Sequence, residues 1–359
     1  MKQQDKTKVL FFLPPTAGGA ERMTIIIAKM LPLDEFDVKF VIVGKSKGDI
    51  ASFIPTNYPI ELLKIKKIWY GGTVRIWNIV RKEKPAVVFS SMLYLNARLI
   101  IAAKPCGARV VIRNNIDLSR TECKINVVLV RLTYRWADKI IAQQEEMRHE
   151  ILAYTGLRAE KVVSLQNPID VECIEECLKA ASPFPNGSEN QYKYVWAARF
   201  SPQKAQDIIV EAFEMVHRKR PNTHLYLVGK YDENDSFFKD INSFVEKHHI
   251  QDYVHVVGFD SNPYRWMKHA DCYVMPSRFE GLPNSLIEAM YIGKPVVATR
   301  CIPVVDRMIE NGFNGIIVEP ENAEALAEGM MNVTSLHDFQ MTYKPSSQDE
   351  FICLFRLSE

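Results

Sequence analysis

Short apolar runs rich in β-branched residues alternate with segments of helical period along almost the whole chain. In the first half the runs are "KVLFFL" (8–13), "DVKFVIV" (37–43), "IELLKI" (60–65), "AVVFS" (86–90), "ARVVI" (108–112), "DKIIA" (138–142) and "KVVSL" (161–165). Several are apolar almost throughout, the pattern of strands covered on both faces. Segments such as "GAERMTIIIAKML" and "RLTYRWADK" read as helices between them. The second half repeats the rhythm at "YKYVWAA" (192–198), "THLYLVG" (223–229), "VHVVGF" (254–259), "DCYVMP" (271–276), "PVVAT" (295–299) and "GIIVE" (315–319), with "AQDIIVEAFEMVHRK" and "AEALAEGMMNV" as helices. A β-α-β-α order predicts a parallel sheet with helices on both faces, and its recurrence predicts two such sheets.

The fold class expected is therefore α/β, with two Rossmann-like doubly wound domains. The stretch 165–193 holds an Asn-Pro turn, a short helical segment and a Pro/Gly/Ser/Asn-rich loop, a composition suited to a linker. The boundaries expected are 1–165 for the first domain, 166–191 for the linker and 192–332 for the second domain. Residues 333–359 form a tail whose periodicity fades. Charge divides along the same line. Residues 1–165 carry 27 Lys and Arg against 15 Asp and Glu, an excess of +12, while the remainder carries 18 against 28, or −10. A basic half suits an anionic membrane or a phosphorylated substrate, or simply an acidic companion domain. The segment 64–84 mixes Lys and Arg with Trp69, Tyr70 and Trp77, which fits either a membrane interface or an amphipathic helix with a basic solvated face. Seven dispersed cysteines without C-x-x-C spacing point to a reduced, cytosolic protein. No apolar run approaches the ~20 residues of a membrane span.

Three strand-to-helix turns carry candidate chemistry. In "FLPPTAGGAERMT", Gly18 and Gly19 precede a helix whose first N–H groups face an anion, or the turn is merely tight. In "AARFSPQKAQDII", Arg199 and Lys204 sit at a strand's carboxyl edge, where they either neutralise a diphosphate or remain solvated. In "SRFEGLPNSLIEAM", Glu280 and Glu288 flank a turn with Asn284 or Ser285 as helix cap, and the amides of Leu282, Asn284 and Ser285 point to the same edge. A carboxylate placed on a phosphate would be repelled. The two acids therefore bind hydroxyls on either side of it, or they only favour the helix dipole.

These residues resemble the family 4 retaining glycosyltransferases of the bacterial surface-polysaccharide type, which have the GT-B fold of two Rossmann-like domains facing a central cleft. "EGLPNSLIEAM" meets the family's Glu–seven residues–Glu pattern, and "ARFSPQK" its Arg-x-x-x-x-Lys segment. "GFDSNPYRWMKHADCYVMPSRFEG", "GKPVVAT", "LQNPIDVECIEE" and "GGAER" follow in the expected order. The resemblance implies that Arg199 and Lys204 hold a donor diphosphate, Glu288 the ribose and Glu280 the transferred sugar. Gly18 and Gly19 approach the donor from the other domain. The base lies near Gly229, Val257 and Gly258, with Gly281 in the turn. It implies no cofactor and no metal, a UDP-sugar in first place as donor, and a glycan or lipid-linked glycan as acceptor. No nucleic acid partner is expected. Peripheral membrane contact through the basic domain, on the cytoplasmic side, would bring the enzyme to such an acceptor. The histidine that many relatives carry near the acceptor is absent from "VVFSSMLYLNARL" and "VVIRNNIDLSRTE", leaving Asn96, Arg113 and Asn115 as acceptor-side candidates. Two other readings stay open, a nucleotide-sugar epimerase on the same fold and a non-catalytic binding subunit of a transferase complex.

Overall fold

The computed structural model describes residues 6–65, 71–121, 124–336 and 341–357. The described residues divide into two compact units. One takes in the residues up to Pro168 together with those from Lys344 on, and the other the residues of Ile169–Tyr343.

The first unit holds a parallel sheet in the order β3-β2-β1-β4-β5-β6-β7. Its strands are β1 (Thr7–Leu13), β2 (Phe36–Gly44), β3 (Ile60–Lys64), β4 (Val87–Ser90), β5 (Arg109–Arg113), β6 (Lys139–Ala142) and β7 (Val162–Ser164). The helices between them are α1 (Gly19–Lys29), α2 (Gly72–Glu83), α3 (Leu93–Ala103), α4 (Lys124–Thr133) and α5 (Glu145–Thr155). Val9, Phe11, Val87 and Phe89 face one core cluster, while Leu10, Phe12 and Val88 face another. This two-sided burial explains why the strands read as unbroken apolar runs. The segment "RLTYRWADK" is not one helix: α4 ends at Thr133, a 3-10 turn covers Tyr134–Trp136, and β6 begins at Lys139.

The second unit holds a parallel sheet in the order β10-β9-β8-β11-β12-β13. Helix α6 (Val171–Cys177) leads into β8 (Tyr192–Ala197), α7 (Gln206–Lys219), β9 (Thr223–Val228), α8 (Ser236–Lys247) and β10 (Val254–Gly258). Then come α9 (Pro263–His269), β11 (Cys272–Met275), α10 (Asn284–Tyr291), β12 (Val296–Thr299), α11 (Val304–Met308), β13 (Gly315–Val318) and α12 (Ala323–Asn332).

Two boundaries differ from the sequence expectation. Residues from Ile169 on belong to the second unit and are not a free linker, because Ile174 and Phe184 are buried in that unit's core. The tail also has a definite place. Helix α13 (Gln348–Phe355) inserts Phe351, Ile352, Leu354 and Phe355 into the core of the first unit. Its start is a capping box, with Ser347 and Glu350 satisfying each other's backbone amides. Of the basic segment 64–84, residues 66–70 lie outside the described residues. Lys64 ends β3, and Gly72–Glu83 form α2, with Ile76 buried and Trp77 partly buried beneath Arg81. No helix among the described residues is long and apolar enough to cross a membrane.

Candidate active site

In an open parallel sheet, ligands bind beyond the carboxyl ends of the strands where the strand order reverses direction. In the second unit that point lies between β8 and β11. The loop after β8 carries Arg199 and Lys204, and the loop after β11 carries Glu280. The fold thus brings together groups 76 residues apart.

Glu280 is nearly buried, at 7% exposure. Its Oε1 accepts hydrogen bonds from Lys204 Nζ at 2.6 Å and Ser277 Oγ at 2.7 Å. Its Oε2 accepts none from the described residues. The Ser277 carbonyl is held in turn by the buried Thr299 hydroxyl at 2.5 Å. Arg199, by contrast, is exposed, and no side chain of the described residues binds its guanidinium. Only its carbonyl is tied down, by Gln206 Nε2 at 2.9 Å. Ala205, next to Lys204, adopts the left-handed backbone at φ 53°, a conformation that costs an L-residue roughly 1 kcal/mol. The fully buried Gln206 bonds back to the Arg199 carbonyl and the Ser201 amide.

Glu288 lies in the second turn of α10 and receives the Tyr264 hydroxyl at 3.2 Å. Neither Asn284 nor Ser285 caps that helix. The capping position is Pro283, which makes no side-chain cap. Ser285 instead meets the buried Tyr273 hydroxyl at 2.7 Å, and the Asn284 amide bonds to the Leu282 carbonyl at 3.0 Å. Leu282 itself is buried in the core, so only its backbone belongs to the turn. The first amides of α10 that turn inward, those of Leu286 and Ile287, donate to the Pro283 carbonyl at 3.1 Å.

Gly229 and Gly258 have backbone reasons for being glycine. A Cβ on Gly229 would stand 1.6 Å from the Ala198 carbonyl oxygen. Gly258 has φ +83° at a register shift in the β9–β10 pair, and its carbonyl accepts the Gly229 amide at 2.8 Å. Val257 packs against the core from the same bend.

An ion pair that the sequence reading did not foresee joins the two loops. Arg278 binds Asp207 at 2.7 and 3.1 Å, Glu321 at 3.0 Å and the Pro202 carbonyl at 2.6 Å. The Asp207 hydrogen bond, reinforced by Glu321, raises the guanidinium pKa above its ordinary value. Both partners stood in the quoted motifs, Asp207 in "AQDII" and Arg278 in "SRFEG". Their opposite charges were the only available signal.

In the first unit the switch point lies between β1 and β4. Gly18 and Gly19 follow β1 at the start of α1. The chain's own carboxylate occupies this start. Glu21 takes the Thr16 hydroxyl at 2.5 Å, and its Oε2 lies 2.6 Å from where a Cβ on Gly18 would be. A cavity of about 320 Å³ opens at the ends of β1–β3, lined by Pro15, Thr16, Lys45 and Tyr94 among others. Burial, and after it the Glu21 charge, push the Tyr94 hydroxyl up to about 12.

Two of the acceptor-side candidates turn out to be internal braces. Asn96 is fully buried, bonded to Ser90, to the Arg113 carbonyl at 3.0 Å and to Tyr134 at 3.2 Å. Tyr134 passes the network on to Asn114 at 2.6 Å. Arg113 is 1% exposed and binds Asn167. Polar groups withdrawn from water need such partners, and the fold supplies these, although the neighbouring Asn114 Nδ2 finds none among the described residues. Asn115 is half-buried and touches Met92 Sδ at 3.9 Å.

Residues 17–173 match the family model described as Glycosyltransferase Family 4, and residues 179–348 match Glycosyl transferases group 1. An uncharacterized glycosyltransferase of Methanocaldococcus jannaschii is 25% identical over 261 residues, which cover 69% of this chain and 62% of that protein. The N-acetylgalactosamine-N,N'-diacetylbacillosaminyl-diphospho-undecaprenol 4-alpha-N-acetylgalactosaminyltransferase of Campylobacter jejuni is 22% identical, covering 93% of this chain and 92% of its own. Among solved structures, Anabaena HepE in complex with UDP and glucose superposes with a TM-score of 0.78 at 22% identity, covering 91% of this chain and 89% of that one. Two family models in succession, over two doubly wound sheets, place the chain among the family 4, group 1 glycosyltransferases of the GT-B fold.

Proposed function

We propose that this glycosyltransferase moves a hexose or N-acetylhexosamine from a nucleotide sugar, a UDP-sugar in first place, to a lipid-linked or polysaccharide acceptor. Anomeric configuration is retained and no metal takes part. The setting is assembly of a bacterial surface polysaccharide at the cytoplasmic face of the membrane. The observation that carries the donor reading is Glu280: one carboxylate oxygen is anchored by Lys204 and Ser277 while the other takes no hydrogen bond from the described residues. A fixed acceptor of this kind suits sugar hydroxyls, and the cation beside it suits the phosphate to which the sugar is joined.

Departure of a nucleoside diphosphate breaks the bond from the anomeric carbon to the phosphate oxygen. Negative charge grows on that phosphate. Lys204, already held by Glu280, and the start of α10 supply fixed positive potential for it, and the exposed Arg199 guanidinium adds its charge. The acceptor hydroxyl forms the new bond on the same face of the sugar, and its proton passes to the departing phosphate oxygen. Glu288, held by Tyr264, takes the ribose hydroxyls. The UDP in the HepE structure and the diphospho-undecaprenol acceptor named for the C. jejuni relative support this choice of substrates.

The test is a thermal-shift screen of nucleotide sugars, followed by transfer assays with the best donor in EDTA. A UDP-sugar is expected to raise the melting midpoint most, with turnover unchanged by EDTA. A larger shift from another nucleotide would overturn the base assignment, and loss of turnover in EDTA the metal-free reading.

A further inference from the structure

Four large apolar side chains lie on one exposed stripe of the first unit. Ile125, Val128, Leu132 and Trp136 recur at intervals of three and four along α4 and the turn that follows it. Each is at least 50% exposed. Single exposed apolar residues are ordinary, but an aligned row is not. The opposite face of the same segment is firmly anchored, since Val130 and Tyr134 are fully buried in the core. The stripe is therefore a fixed ridge about 17 Å long, from the rise of a helix and one tighter turn.

Charge decides what covers it. Arg131 and Arg135 are exposed beside the stripe, and Arg135 lies over the Trp136 ring at 5.0 Å. Residues 124–137 contain no acidic residue. The whole segment 1–165 carries an excess of +12. A second copy of this chain, packed stripe to stripe about a twofold axis, would set these arginines against their own equivalents, which is repulsive. An anionic lipid surface satisfies both features at once: headgroups meet the arginines, the aliphatic side chains enter the acyl boundary, and Trp136 takes the interfacial level it prefers.

The geometry points to α4 and its following turn as a membrane-docking ridge for anionic bilayers. This ridge is distinct from the basic segment 64–84, and vesicle binding requires neither donor nor acceptor. Failure of the test therefore leaves the transfer reaction untouched.

The experiment is co-sedimentation of the full chain with extruded vesicles of phosphatidylglycerol in phosphatidylcholine, beside vesicles of phosphatidylcholine alone. The wild-type chain is expected to bind the anionic vesicles, with the bound-to-free ratio falling about tenfold on neutral vesicles or in high salt. Val128→Ser/Leu132→Ser is expected to lower the ratio on anionic vesicles at least tenfold while leaving the melting midpoint in place. Arg131→Glu/Arg135→Glu leaves Ile125, Val128 and Leu132 in place and is expected to do the same, so the test survives if the first variant folds badly. The proposal is overturned if the wild-type chain ignores anionic vesicles or if both variants bind as well as it does. Self-association of the wild type that the serine variant abolishes, without vesicle binding, would also overturn it.

Discussion

The Lys204 ammonium and the Glu280 carboxylate are close enough, at 2.6 Å, that removing either strands the other. Both are largely withdrawn from water, with side-chain exposures of 18% and 8%. Lys204→Ala is therefore expected to act twice. On the proposed mechanism it removes a cation from the departing phosphate, for a loss of about 10²–10³ in turnover. It also leaves Glu280 nearly buried with only Ser277 as partner, costing roughly 1–3 kcal/mol of stability. Lys204→Ala/Glu280→Ala should regain most of that stability and none of the activity. Arg199→Ala should show the reverse asymmetry, with turnover falling and stability unmoved, because its guanidinium is exposed and unpaired among the described residues. Urea unfolding and kcat/KM on the four proteins separate the two effects; an equal stability loss for Arg199→Ala and Lys204→Ala would contradict this assignment. Gly229→Ala tests a different limit. Its Cβ would fall 1.6 Å from a backbone oxygen that no rotamer change can move. A stability loss above about 3 kcal/mol is expected from the strand displacement required. A variant that melts like the wild type would mean that β8 and β9 separate freely at their carboxyl ends.

At the scale of elements, the parallel strands were the most legible feature, because each is an apolar run buried on both sides. Helix α4 was not legible. Its sequence, "KINVVLVRLT", holds three valines and an apolar outer stripe, so the polar face that marks a surface helix is missing. The tail was legible only in part. Ser347-Gln-Asp-Glu350 is a capping-box signature, yet nothing local says which core will receive the helix behind it. The structure gives it to the first unit, where the Phe355 ring lies 5.6 Å from Phe11 and 5.7 Å from Phe89. Phe355→Ala is expected to cost about 3–5 kcal/mol, the range for emptying a buried aromatic site. The measurement is the urea midpoint of the full chain. An unchanged midpoint would show that α13 contributes little to the first unit. At the candidate site, the residue types at strand ends were readable, but their orientation was not. Asn96 and Arg113 had the composition of a binding loop and proved to be internal braces. The Lys204–Glu280 and Arg278–Asp207 pairs join segments 76 and 71 residues apart, a proximity that only the sheet order creates.

For the molecule as a whole, stability should depend on pH through a histidine pair remote from any candidate catalytic residue. His224 is the second residue of β9 and His255 the second of β10, at the amino end of the second sheet. His224 Nδ1 and His255 Nε2 are 2.9 Å apart, so one donates and the other accepts. Two protonated rings would both be donors, and the contact would become repulsive. Burial, reinforced by His255, His217 and Lys193, pulls the His224 pKa down to about 4. Burial also lowers that of His255, against the opposing pull of Asp252. Each ring therefore binds its proton more weakly in the folded chain than in the unfolded one, where a histidine titrates near 6.5. As pH falls through about 6.5 the unfolded form takes up protons first, so stability present at neutral pH is lost on descending to about 4 and changes little further from this source below that. Allowing for partial solvent contact, the pair accounts for roughly 1–2 kcal/mol of that loss. His224→Gln keeps a hydrogen-bonding side chain and removes the titration. Its unfolding free energy should therefore fall less steeply than that of the wild type between pH 6.5 and 4.5. Urea unfolding across this interval measures both slopes. Parallel slopes would assign the acid sensitivity to other groups, whereas a flatter slope for the variant places it at the amino end of the β9–β10 pair, away from the strand ends that carry Glu280 and Lys204.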